Sequence, residues 1–261
     1  MTPAQGILMG IVQGLTEFLP VSSSGHLALA RELLGAGSAE DVGFEVAVHA
    51  GTLLAVLIFF RTKIITILSE CLSGRGDGWR WIFYLVIGTI PAGVVGLLIR
   101  HQVSMLFNNI ALVGAAWLFT ACLLFISEKY AGERVTVVEM GMWRSLFIGM
   151  GQAIALIPGV SRSGSTLGVG LLAGVKREAA LEFAFILSLP SVGGATLLTI
   201  PEWLDGRTGF SMVHVIGGTA AFISGYIAIA WMLRIVSNGK LIWFAAYCAL
   251  LGTFALAMSC F

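Results

Sequence analysis

QGLTEFLPVSSSGH (residues 13–26) places a carboxylate, three serines and a histidine in a chain that is otherwise oily enough for a bilayer. Gln13 and Glu17 are four apart, so on a helix they stack on one face. Pro20 then ends that helix in apolar surroundings, where an unpaired carboxylate is expensive. Glu17 therefore needs a partner, most simply a metal ion or a basic side chain. Ser22, Ser23, Ser24, Gly25 and His26 follow the break, and hydroxyls and N–H groups gathered at such a point favour an anion. Each residue alone has a plainer reading. Gln13 and Glu17 can be an interfacial pair, the serines helix caps, the histidine a structural group. Together they bring a nucleophile, an acid–base group and a metal ligand within ten residues.

The rest of the chain sets this stretch in a membrane. Of 261 residues, 57% are hydrophobic and 11% charged, with a mean hydropathy of +0.94. That is the composition of an integral membrane protein. Charge-poor runs at 46–60, 81–99, 110–127, 183–201, 210–233 and 241–261 predict six spanning helices, since about 20 apolar residues cross a bilayer. Met1 to Leu15 has no basic flank and does not read as a cleaved signal peptide. A net charge of +1 gives no reason to expect a nucleic-acid partner. The four cysteines are far apart, which suggests neither a disulfide framework nor a zinc cluster.

A shift of 139 places Gln13 on Gln152, Val21 on Val160, Ser22 on Ser161, Ser24 on Ser163 and Gly25 on Gly164. FEVA (44–47) is echoed by LEFA (181–184). An internal duplication follows, with halves of about 1–127 and 145–261 in a single membrane domain. Each half has one broken, polar segment and three spans. Three is odd, so the second half is inverted relative to the first, and each broken segment becomes a re-entrant hairpin. Putting the 61–80 loop in the cytoplasm leaves eleven of fifteen basic residues inside. Arg31, Arg100 and Arg207 fall outside, and Arg162 lies in a broken segment. This bias sets the orientation. The first hairpin then dips from the outer side and the second from the cytoplasmic side. Trp79, Trp81, Trp203 and Trp243 suit interfacial anchoring, while mid-span Trp117 reads as packing.

PGVSRSGST (158–166), the second broken segment, carries Arg162 where the first carries Ser23. Its charge is locally unpaired, and a guanidinium on a Ser/Gly-rich turn matches phosphate oxygens with two parallel hydrogen bonds. Hairpin tips meeting at mid-membrane would combine Glu17, Ser23 and His26 with Arg162 in one phosphate site that is open to lipid.

These motifs resemble those of the bacterial undecaprenyl-diphosphate phosphatases of the bacitracin-resistance type. That family's (E/Q)xxxE and PVSSxGH stand here as QGLTE (13–17) and PVSSSGH (20–26), and its PGxSRSxxT as PGVSRSGST (158–166). The resemblance runs over essentially the whole chain. It implies hydrolysis of the terminal phosphate of undecaprenyl diphosphate, which recycles the lipid carrier for cell-wall synthesis and confers bacitracin resistance. It also implies an all-α fold of six transmembrane helices and two re-entrant hairpins as inverted repeats, in the bacterial inner (plasma) membrane. Glu17, Ser23, His26 and Arg162 become the catalytic set. Gln13, Ser22, Ser24, Gly25, Gly159, Ser161, Ser163, Gly164 and Thr166 become substrate-binding, with Glu17 the ligand of a Mg²⁺ or Ca²⁺. The expected partners are a polyprenyl diphosphate, the bilayer and a second copy in a homodimer. Many relatives carry glutamate where this chain has Gln13, so the site here has one carboxylate, and its metal should bind tightly only with substrate. The type 2 phosphatidic-acid phosphatases share the SGH triplet but need a histidine after their Ser-Arg motif, which SGSTLGVGLLAG (163–174) lacks.

In the expected mechanism Arg162 and the N–H groups around Gly159 to Gly164 hold the diphosphate, Ser23 or a water attacks phosphorus, and His26 moves the proton. The first hairpin's approach from outside predicts extracytoplasmic catalysis. A polyprenyl-phosphate transporter or flippase is the competing expectation, since inverted repeats with broken helices suit anionic cargo. Transport alone, however, does not require Ser23 and His26 beside Glu17.

Overall fold

The computed structural model describes residues 1–35, 42–74, 76–99, 109–132, 134–202 and 211–259. These residues are helical almost throughout, in α1 (Pro3–Phe18), α2 (Ser23–Leu34), α3 (Val42–Phe59), α4 (Arg61–Leu72), α5 (Gly76–Ile99), α6 (Ile110–Lys129), α7 (Gly141–Ile154), α8 (Arg162–Leu172), α9 (Arg177–Glu202), α10 (Met212–Ser237) and α11 (Ile242–Met258). Among the described residues the one extended pairing is a single bridge, Val135 to Val175.

Five helices are long and apolar enough to cross a membrane: α3, α5, α6, α9 over Arg177–Leu198, and α10. The sixth expected span, 241–261, holds α11, whose 17 described helical residues fall just short of that group. Leu97, Leu98, Leu197, Ile227, Leu250 and Phe254 are exposed on these helices, the arrangement of a fold whose outer surface meets hydrocarbon rather than water. Arg75, Arg100, Trp203 and Arg207 lie outside the described residues.

Local chemistry sets the two broken segments. Thr2 and Gln5 form a capping box at the start of α1, with Pro3 at the first helical position. Pro20 has no N–H to continue the ladder, and α1 ends at Phe18. Ser22 turns the chain at φ +69°, a strained value for a residue with a side chain, and α2 starts at Ser23. Between α7 and α8 the turn falls to Gly159 at φ +93°, and Ser161 caps α8 by accepting from the Gly164 N–H at 3.1 Å. Ser23 and Arg162, matched at the shift of 139, both open their helices.

Small residues let the long helices cross closely. Gly10 on α1 faces the backbone of Gly217 on α10, and Gly149 on α7 faces the backbone of Gly88 on α5. One turn earlier in each pair, Gly6 meets Val213 and Ser145 donates to the Tyr84 carbonyl at 2.5 Å. α6 and α11 cross at Gly114 and Gly252. A methyl on Gly114 would stand 3.0 Å from the Gly252 carbonyl oxygen, and one on Gly252 2.7 Å from that of Gly114. Glu45, in the first turn of α3, ties back to Arg31 of α2 at 2.5 Å. Glu182 of α9 pairs with Lys63 of α4 at 3.3 Å.

Candidate active site

The two breaks touch. Ser163 donates its hydroxyl to the Leu19 carbonyl at 2.9 Å, and Gly164 lies against Pro20, where a methyl group would come within 3.1 Å of the ring. α6 braces both. The Trp117 indole N–H donates to the Val21 carbonyl at 2.9 Å, and the Ser161 N–H donates to the Thr120 hydroxyl at 3.1 Å. Trp117 is buried packing, as its mid-span position suggests, and its N–H also holds the first break in place.

Glu17 is the hub. Its side chain is 4% exposed, and both oxygens are engaged. Arg162 Nη2 donates to Oε1 at 2.5 Å. Ser23 Oγ donates to Oε2 at 2.7 Å, and Gln13 Nε2 donates to the same oxygen at 3.1 Å. Of the two partners open to Glu17, the fold supplies the basic side chain. A buried carboxylate is tolerable with this donor set, and removing the guanidinium would leave an uncompensated charge.

Gln13, fully buried, also donates to His49 Nδ1 on α3 at 3.1 Å. This use of the amide nitrogen leaves Gln13 Oε1 buried with no hydrogen-bond partner among the described residues. The reverse orientation would turn an oxygen lone pair on the carboxylate, which fixes the assignment while Glu17 is ionised.

His26, one turn after Ser23 on α2, has partners of its own. Its Nδ1 donates to the Ser22 carbonyl at 2.7 Å, and its Nε2 stands 2.8 Å from the hydroxyl of Tyr247 on α11. The Tyr247 ring stacks on the imidazole at a centroid distance of 5.7 Å, and Trp117 presents its edge at the same distance. Gly25 is required beside it, since a methyl there would sit 2.5 Å from the Trp117 ring.

The remaining residues expected to bind substrate serve the breaks themselves. Ser22 and Ser24 share a hydrogen bond at 3.2 Å, as do Ser161 and Ser163. Thr166 donates to the Arg162 carbonyl at 2.9 Å. The N–H groups of Arg162 and Ser163 open α8 and have no preceding helical carbonyl to donate to. The space between them and Glu17, bounded also by Thr166, Phe185 and Ser188, is only ≈10 Å³. That is room for about one water, so no phosphate-sized space lies between Arg162 and Glu17 while they are paired.

No group of three or more His, Cys, Asp or Glu side chains that could cage a metal occurs among the described residues. The residues present fit a cation completed by substrate. Glu17 supplies one carboxylate, and the orphaned Gln13 oxygen would join it if the amide turned over.

His49 and Tyr247 were not singled out in the sequence. A lone histidine or tyrosine in an apolar run reads as packing, and nothing in spacings of 36 and 221 residues hints at contact with Gln13 or His26.

The profile of the family described as "Bacitracin resistance protein BacA" matches residues 6–254. Similar curated proteins include an "Undecaprenyl-diphosphatase" of Methanobrevibacter smithii, 41% identical over 264 residues covering 95% of this chain and 94% of that one. One of Desulfosudis oleivorans is 39% identical, covering 97% of each chain. One of Korarchaeum cryptofilum is 37% identical, covering 99% of this chain and all of its own. With a match across nearly its full length, the chain belongs to the bacitracin resistance protein family BacA.

Proposed function

We infer that this chain is a membrane-embedded undecaprenyl-diphosphatase. It removes the terminal phosphate of undecaprenyl diphosphate to give undecaprenyl phosphate and inorganic phosphate, and so recycles the lipid carrier for cell-wall synthesis and confers bacitracin resistance. The observation that carries this reading is the Ser23 hydroxyl donating to Glu17 while Arg162, from the other break, holds the second carboxylate oxygen. A hydroxyl aimed at a buried base beside a guanidinium is what phosphoryl transfer uses. A transporter or flippase has no need of it.

In this mechanism the arriving diphosphate draws Arg162 from Glu17, and the guanidinium and the first N–H groups of α8 bind its oxygens. Glu17 takes the Ser23 proton as Oγ attacks the terminal phosphorus, and the bond to the bridging oxygen breaks, releasing undecaprenyl phosphate. Water then attacks the phosphoserine, with His26 Nε2 accepting its proton, and Glu17 returns its proton to Ser23 Oγ as the P–Oγ bond breaks and phosphate leaves. A Mg²⁺ or Ca²⁺ held by Glu17, Gln13 Oε1 and substrate oxygens would supply charge neutralisation to the diphosphate.

The fold proposed around this site has six spanning helices and two re-entrant hairpins in inverted halves, about 1–127 and 145–261. Its support is a double register. Residues 6 and 10 of α1 and 145 and 149 of α7 differ by 139, while their partners 84 and 88 and 213 and 217 differ by 129. Location in the plasma membrane, with the site opening to the outside, rests on the distribution of basic residues. A homodimer is a further proposal.

Purified protein in detergent should release phosphate from a polyprenyl diphosphate when a divalent cation is present, and Arg162→Ala should lose most of that activity while remaining folded. Undiminished release by Arg162→Ala would overturn the assignment.

A further inference from the structure

We propose that Tyr247 is a positioning residue for His26, holding the imidazole plane, partnering Nε2 in both of its protonation states and covering it until substrate arrives. The inference rests on the phosphatase reading and extends it to a residue on the last helix.

The Ser22 carbonyl can only accept, so the 2.7 Å contact puts a hydrogen on His26 Nδ1. In the neutral ring Nε2 then carries the lone pair, and the Tyr247 hydroxyl, 2.8 Å away, donates to it. A phenol can turn its hydrogen. When Nε2 becomes protonated, the same oxygen accepts, so the ring need not move between the two states. The plane is held as firmly as the tautomer. Tyr247 stacks with 12° between the rings, and Trp117 closes the edge at 77°.

The register of Tyr247 is itself anchored. The next residue, Cys248, is fully buried, and its thiol donates to the Pro20 carbonyl at 3.5 Å. α11 is thus tied to the break from which His26 projects. Tyr247 remains 43% exposed, so its hydroxyl can leave Nε2 for an incoming phosphate oxygen. An arrangement that only glued α11 to α2 would not need the hydroxyl on the one free imidazole nitrogen.

Tyr247→Phe keeps the stack and removes the hydroxyl. Its melting temperature in detergent should match that of the unaltered protein. Its kcat for phosphate release should fall about tenfold, the size expected for one hydrogen bond to a charged group, with KM changed less than twofold and a displaced pH profile of kcat. In a His26→Ala background the same substitution should cause no further loss. ¹⁵N NMR of labelled histidines, with His26 assigned through His26→Ala, should show the Nδ1–H form in both proteins, with the Nε2 resonance displaced in Tyr247→Phe because its hydrogen-bond partner is gone. Full kcat in Tyr247→Phe, an equal loss in both backgrounds, an Nε2 resonance unmoved by Tyr247→Phe, or an Nε2–H ring in the unaltered protein would each overturn the proposal. The NMR arm decides the matter even for a protein that releases no phosphate. Failure of release by the unaltered protein counts against the phosphatase reading alone.

Discussion

Arg162 Nη2 lies 2.5 Å from Glu17 Oε1, joining residues 145 positions apart in the chain. The carboxylate is almost fully buried, whereas the guanidinium side chain keeps 25% of its surface exposed. The pair is therefore closed on the protein side and reachable on the other, so that a phosphate can compete for the arginine.

Removing the arginine strands Glu17. Arg162→Ala should lower stability by about 3 kcal/mol, the scale for breaking a mostly buried ion pair. Arg162→Ala combined with Glu17→Gln should regain much of that stability and no activity. Thermal melts in detergent paired with phosphate-release assays check both.

Gln13→Glu should make the protein depend on a cation. A second carboxylate beside Glu17 repels it unless an ion lies between them. Without divalent metal the variant should melt at a lower temperature than the unaltered protein. With Mg²⁺ or Ca²⁺ it should recover and bind the ion more tightly in the absence of substrate, as titration calorimetry can measure. Indifference of its melting temperature to metal would count against a cation at Glu17.

Gly159→Ala should damage the second break. The residue sits at φ +93°, and a methyl would lie 2.6 Å from the Val113 carbonyl oxygen. A loss of about 2 kcal/mol is expected from left-handed strain plus the clash, with reduced activity because the same turn carries Arg162.

Gly10→Val and Gly149→Val should destabilise by similar amounts, about 1–3 kcal/mol each, since each forces apart a crossing of small residues. They belong to different helix pairs, α1–α10 and α5–α7, so their effects should add. Chemical denaturation of the single and double variants in mild detergent tests this. A strong effect at one site alone would weaken the case for matched halves.

A cysteine at Ser73, in a background lacking native cysteines, should react with an impermeant reagent only after cells are opened, whereas one at Thr2 should react in intact cells. The opposite pattern would invert the proposed orientation.

Much of the site was readable because its signals are local. Pro20 and the PGVSRSGST turn mark breaks whatever the fold around them, and a spacing of four aligns Gln13 with Glu17 on any helix. The need for a Glu17 partner also followed from the sequence, through the cost of a bare carboxylate in apolar surroundings. Which partner it takes did not. A metal ion and a basic side chain satisfy the same electrostatic demand, and only the approach of α8 to α1 brings Arg162 to Oε1.

What the sequence determined by itself was the helical class, the place of both breaks and the residue types that gather there, all consequences of composition and short-range backbone chemistry. The tertiary structure decided which atoms meet. Ser23 faces Glu17 rather than His26, His49 takes the second hydrogen of Gln13, and Tyr247 covers His26 Nε2. Those contacts depend on the crossing of α1 with α3 and the seating of α11 against the first break. Such geometry arises from side-chain packing between helices distant in the chain, and spacing along one segment carries no record of it.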